Sequence, residues 1–265
     1  MVTASAPGKV YLFGEHAVVY GEPAVPCAIE RRATVTVTER SEGLRVQADD
    51  LSLNGFTVEY EGKASDRPDI DVSESLVDAG MGYINEAIEQ VKDATGVDTV
   101  GFDVEINSQI PLGAGLGSSA AVAVAAIDAG TRELGVELSP EEIADRAYQV
   151  EREVQDGEAS RADTFCSAMG GAVRVEGDDC RQIEAPELPF VIGYDGGAGD
   201  TGELVAGVRR LRDQYDFAAD TVAAIGDIVR NGEKVLAAGD LEELGRLMDF
   251  NHGLLSALGV SSRSL

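Results

Sequence analysis

Strict alternation and three-to-four spacing divide this chain into strands and helices. Ile29–Glu39 and Gly43–Asp49 alternate apolar and polar positions on either side of Ser41, Glu42 and Gly43, which predicts a hairpin. Gly101–Ile110 alternates again, and Val10–Phe13 and Gly171–Val175 read as short apolar strands. Leu188–Tyr194 has the look of a buried strand and is taken as the start of a second domain. Helical spacing runs through Leu76, Met81, Ile84, Ile88 and Val91, so Ser75–Ala94 is predicted helical, with Gly96 as the stop. Ser118 opens an apolar run, Ala120–Ile127, of high helix propensity. Ser139, Pro140 and Glu142 form a capping box with proline in the first turn, opening a helix to about Val154. Further helices are predicted from near Glu203, over Asp216–Asn231 and over Asp240–Asp249. The chain contains no internal repeat and no low-complexity linker.

Its 265 residues, 44% of them hydrophobic, suit one large domain or two modest ones. Against 48 acidic residues stand only 21 basic ones, a net charge of −27, which argues against nucleic acid or anionic membranes as partners. Lysine is confined to Lys9, Lys63, Lys92 and Lys234, and tryptophan is absent. Dense carboxylates with so little lysine suggest a salt-rich cytoplasm, where repulsion between them is screened. Cys27, Cys166 and Cys180 are odd in number and far apart, so they read as reduced thiols rather than a disulfide framework or zinc site. The N-terminus lacks the pattern of a secretory leader and no apolar run reaches the ~18 residues of a membrane span, so a cytoplasmic protein is expected.

The candidate chemistry centres on Pro111, Leu112, Gly113, Ala114, Gly115, Leu116, Gly117, Ser118, Ser119, Ala120 and Ala121, a glycine-rich loop between a strand and a helix. Free N–H groups and the partial positive charge at a helix start suit a polyphosphate. The loop fits neither the Gly-Lys-Ser/Thr phosphate loop nor the dinucleotide pattern. By itself it is equally a structural turn. The paired serines favour the phosphate reading, since one hydroxyl can cap the helix while the other reaches a metal or phosphate. Elsewhere the residues alone leave bland alternatives open: Lys9 as a surface lysine, His16 as a loop histidine, Asp163 and Thr201 as helix caps.

The loop also resembles the second motif of the GHMP kinases, P-x-x-x-G-L-G-S-S-A-A, at every fixed position. Ala6–Gly21 resembles their first motif, A-P-G-K-x-x-L-x-G-E-H-x-V-x-x-G, and Ala159-Ser160-Arg161-Ala162-Asp163 their A-S-x-x-D. Asn251–Ser261 is similar to the N-x-x-L-L-x-x-L-G-V-S of the mevalonate-phosphorylating branch. This resemblance implies an α+β fold of two domains. Residues 1–185 would form an ATP-binding domain like ribosomal protein S5 domain 2, and 186–265 a ferredoxin-like domain left incomplete without a third glycine-rich motif.

It implies ATP as co-substrate, Mg2+ as cofactor and transfer to the C5 hydroxyl of mevalonate. Asp163 would be the catalytic carboxylate and Lys9 its partner near the transferred phosphoryl group. Glu15, His16 and Thr201 would position the substrate, and Ser119 and Glu151 would hold the metal, with Glu153 as the rival to Glu151. Other readings that remain open are a phosphomevalonate or sugar kinase, or a chain inactive without the third motif; a homodimer is compatible with the sequence.

Overall fold

The computed structural model describes residues 1–49, 56–60, 74–111, 113–155, 157, 159–193 and 201–261. In chain order these form β1 (Val2–Phe13), a 3-10 turn (Ala17–Tyr20), β2 (Val25–Arg40), β3 (Leu44–Asp49), β4 (Phe56–Tyr60) and α1 (Glu74–Thr95). There follow β5 (Gly101–Ser108), α2 (Ser118–Glu133), α3 (Pro140–Val154), α4 (Ala162–Met169), β6 (Ala172–Glu176) and β7 (Asp179–Ile183). The chain then turns wholly helical: α5 (Thr201–Gln214), α6 (Asp216–Ala238) and α7 (Leu241–Ala257).

The strands form one mixed sheet in the order β4-β3-β5-β2-β6-β7, with β1 paired antiparallel to β2. The predicted hairpin is not there. β5 lies between β2 and β3, antiparallel to the first and parallel to the second. The turn at 41–43 therefore has to cross the start of β5, and it does so over Gly101. A Cβ there would lie 2.3 Å from the carbonyl carbon of Glu42, and the Phe102 amide donates to the Gly43 carbonyl at 2.9 Å. Alternation on its own cannot distinguish adjacent strands from strands with a third inserted.

On β2 the buried Ala33, Val35 and Val37 alternate with half-buried threonines, so one sheet face meets α1, α2 and α3 around the main core. The alanine-rich α2 is buried on nearly every side and lies across β1 and β2. Its short side chains let it approach the sheet closely. The capping box of α3 forms as predicted, Ser139 Oγ accepting from the Glu142 amide at 3.2 Å and the Glu142 carboxylate from the Ser139 amide at 2.8 Å.

Four other elements differ from expectation. β1 begins at Val2 rather than Val10 because Pro7 and Gly8, which look like a break, sit at a register shift within the strand. α6 runs past Asn231 to Ala238, since Gly232 lies inside the helix where the Phe13 ring occupies the space of a side chain; α7 likewise runs on to Ala257. Leu188–Gly193 is not a strand: Val191 is 97% exposed and the segment has no regular structure. It pairs with no strand among the described residues, and the elements that follow it, α5, α6 and α7, are all helical.

Two smaller cores tie the C-terminal helices to β1, β2 and the 3-10 turn. Phe13, Leu12 and Val25 pack with Val229 and Leu236 of α6, while Ala17 of the 3-10 turn packs with Val222, Ile225 and Leu255. No helix among the described residues is long and apolar enough to cross a membrane. All three cysteines are free, as expected, and burial pushes the Cys27 thiol up to about 12.

Candidate active site

The glycine loop docks on β1 where that strand breaks register. The Lys9 amide donates to the Leu116 carbonyl at 2.9 Å, and a Cβ on Gly8 would stand 2.6 Å from the same oxygen. Gly113, Gly115 and Gly117 hold φ between +69° and +71°, the left-handed region in which glycine carries no steric penalty. Gly117 occupies the N-cap position of α2 and no side chain caps the helix, so neither serine plays the expected capping part. Ser118 Oγ is buried without a partner, and the amides of residues 118–120 precede the first helical bond, from Ala121 N to Gly117 O. An orphaned hydroxyl beside unpaired amides suits an anionic oxygen. Leu112 lies outside the described residues.

Lys9 is only 4% exposed. Its Nζ donates to the Gly115 carbonyl at 3.0 Å and pairs with Asp163 Oδ2 at 3.1 Å, joining the glycine loop to the first turn of α4. A buried ammonium requires such partners. The side chain of Asp163 keeps 26% of its surface open, so the carboxylate, unlike the lysine, is within reach of a substrate. The structure thus decides against Asp163 as an ordinary cap: no side chain caps α4, and the carboxylate turns to Lys9 and to Tyr11, whose hydroxyl donates to Oδ1 at 2.7 Å.

Glu151 is buried near the end of α3, while Glu153 is exposed. Burial first, then the charge of Asp163, push the Glu151 carboxyl well above the usual carboxylate range, with Lys9 partly offsetting them. Two carboxylates facing one ammonium leave the corner short of positive charge, a deficit that a divalent cation would fill. Among the described residues no cluster of three or more histidine, cysteine, aspartate or glutamate side chains could form a closed metal cage. The donors fit magnesium, which takes few protein ligands and completes its shell with water and phosphate. Tyr83, whose phenol burial and Glu151 push up, accepts from Gln155 Nε2 at 2.8 Å and lies close enough to Ser119 to interact with it.

Glu15 and His16 follow β1 in the turn next to Lys9. His16 has φ +60° and its Nδ1 is buried without a partner. Burial lowers its imidazole below the ordinary value, Glu15 opposing and Lys9 reinforcing the shift. The Gly14 amide donates to Asn251 Oδ1 at 3.3 Å, so α7 holds this turn across 237 positions of sequence. Thr201 opens α5, and its side chain lies outside the described residues. Sequence reasoning missed Tyr11, Tyr83 and the short helix α4. Tyr11 could have been found: it stands two residues after Lys9, so it shares a strand face with it.

Residues 82–171 match the GHMP kinases N-terminal domain, and residues 2–39 the galactokinase galactose-binding signature. The mevalonate kinase of Thermococcus gammatolerans is 42% identical over all of this chain and 80% of its own length. The chain belongs to the GHMP kinase family. That of Pyrococcus furiosus is also 42% identical, again over the whole of this GHMP kinase and 80% of the relative. Among solved structures, the Methanococcus jannaschii mevalonate kinase matches with a TM-score of 0.73 at 27% identity, covering 99% of this chain and 81% of that one. The fold is therefore the mixed α+β architecture of GHMP kinases. The galactokinase signature covers only β1, the 3-10 turn and nearly all of β2, whereas the match to the mevalonate kinases spans the whole of this chain and 80% of theirs.

Proposed function

We propose that this GHMP kinase transfers the terminal phosphoryl group of ATP to the C5 hydroxyl of mevalonate, forming 5-phosphomevalonate and ADP for isoprenoid biosynthesis. The observation that carries the reaction type is the Lys9 ammonium bound at once to Asp163 and to the Gly115 carbonyl of the glycine loop. It brings a proton acceptor and a phosphate cradle to one point. The substrate is supported by relatives named mevalonate kinase at 42% identity.

Phosphoryl transfer of this kind depends on positioning and on stabilising charge. The amides at the start of α2 and the Ser118 hydroxyl bind phosphate oxygens. The alcohol oxygen bonds to the γ-phosphorus as its proton passes to Asp163, and the bond from that phosphorus to the bridging oxygen breaks, releasing ADP. Lys9 stabilises the charge of Asp163 and that of the phosphoryl group beside it. Glu15, His16 and Thr201 orient the substrate. Ser119 and Glu151 would hold magnesium, which when bound neutralises phosphate charge; Glu151 is preferred to Glu153 because it is buried within range of the Asp163 and Lys9 charges. The same reading divides the chain near residue 185, with residues 1–185 binding ATP and 186–265 bracing the substrate turn, and places the acidic protein in a salt-rich cytoplasm.

The test is ADP formation by the 265-residue chain with ATP, Mg2+ and mevalonate in concentrated KCl, with galactose and 5-phosphomevalonate as competing substrates. Preference for either competitor would overturn the substrate assignment. Asp163→Asn should lower kcat on the order of 10^3-fold while ATP still binds. Near-parental turnover by that variant would remove Asp163 from the mechanism.

A further inference from the structure

Asp163 has a second partner that the reaction above does not use. Tyr11 donates to Oδ1 at 2.7 Å while Lys9 holds Oδ2 at 3.1 Å, and the Lys9 ammonium lies 4.3 Å from the centre of the Tyr11 ring. Each of the three side chains thus touches the other two. A carboxylate gripped at one oxygen can turn about its last torsion, which is intrinsically broad. With both oxygens gripped from one strand, turning would break a hydrogen bond to a charged group.

The phenol is suited to donating and not to titrating. Burial first, then the charge of Asp163, raise it well above its ordinary value, so it keeps its proton. Glu15 adds to that rise, and the Ser160 hydroxyl lies close enough to interact with the phenol oxygen. A phenol that keeps its proton cannot take the alcohol's. What it can do is aim the group that does.

We propose that Tyr11 is a positioning residue for phosphoryl transfer, its hydroxyl fixing the Asp163 carboxylate so that a free lone pair faces the attacking alcohol. The proposal rests on the reading of Asp163 as the group that receives the alcohol's proton. Tyr11→Phe keeps the ring and removes the hydrogen bond. It should lower kcat roughly 10- to 100-fold, the rate equivalent of one bond to a charged group, with KM for ATP and mevalonate within about twofold.

A merely structural role would carry the same loss into any background, so the deciding measurement is a cycle with Asp163→Ala. With that carboxylate gone, adding Tyr11→Phe should change the residual rate less than about twofold. An equal loss in both backgrounds overturns the proposal, as does parental kcat in Tyr11→Phe beside an inactive Asp163→Ala. An active Asp163→Ala overturns the reaction's assignment of Asp163 and this inference with it. Should Tyr11→Phe fold poorly, Ser160→Ala takes its place in the cycle, with a smaller loss expected by the same logic, and a parental kcat there counts against the proposal.

Discussion

The two ends of the Gly8–Gly14 stretch, where β1 runs into the turn after it, meet their neighbours in opposite ways. At Gly8–Tyr11 the strand meets the glycine loop and α4 through a buried ammonium, a carboxylate and a phenol. At Phe13–Gly14 it meets α6 and α7 through a ring laid on a glycine backbone and one side-chain amide, with no charge between them. Both junctions are close, but one concentrates charge beside the glycine loop and the other concentrates apolar contact. The two kinds of junction are thus separated by only a few residues of one strand, and substitutions at the two ends should fail in different assays.

The largest expected effect is at the charged end. Lys9→Met removes the ammonium while retaining most of the stem, leaving Asp163 without its ion pair and Glu151 without the charge that offsets its burial. We expect kcat to fall on the order of 10^3-fold, as when a transition-state charge partner is lost. Stability should fall less than activity: an unpaired buried charge can cost about 3–5 kcal/mol, but Asp163 is partly open to water and keeps the Tyr11 hydrogen bond. Turnover and a melting curve on the same preparation check this; a collapse of the melting temperature with kcat intact would erase the distinction between the two ends.

The apolar end should show the reverse. A Cβ on Gly232 would lie 2.4 Å from the Phe13 ring, and both ring and helix backbone are fixed by the surrounding core. Gly232→Ala should therefore destabilise by about 1–3 kcal/mol through overpacking, despite alanine's better helix propensity. At roughly 2–4 °C per kcal/mol for a chain of this size, calorimetry would resolve it. Turnover below the transition should stay within a few-fold of the parent. An unchanged or higher melting temperature would mean that Phe13 does not hold α6 in place.

That same glycine shows where sequence and structure part. That the glycine loop, Lys9 and Asp163 would come together was legible, because the residues that single them out lie in short, contiguous strings. The β3-β5-β2 order was not, since alternation specifies which face a residue takes and not which strand lies beside it. Gly232 looked like the end of a helix because intrinsic propensity is local, while the reason for it, Phe13, lies more than two hundred residues away. Leu188–Gly193 shows the converse: its apolar residues read as a strand, yet pairing depends on an edge that the segment cannot supply itself. Which of Glu151 and Glu153 is buried was likewise not fixed by the helical pattern of α3.

The smallest effect is expected where charge does enter the brace. Arg230 on α6 pairs with Glu22 at 2.8 Å and with Asp227 at 3.0 Å, and the Glu22 carboxylate lies against α6 where a Cβ on Gly226 would stand 2.0 Å from its oxygen. On distances alone this would rank with the Lys9 corner. But Arg230 is 44% exposed and Asp227 77%, so the cluster is in contact with solvent and largely screened, and pairs of this kind contribute about 0–1 kcal/mol. Arg230→Ala should thus cost less than about 1 kcal/mol in dilute buffer, and the difference should fade as KCl rises and the Debye length shrinks to a few ångströms. A larger loss that persists in concentrated salt would mean that the helices are held by ion pairs after all, and that burial, rather than the kind of interaction, separates the two ends of the Gly8–Gly14 stretch.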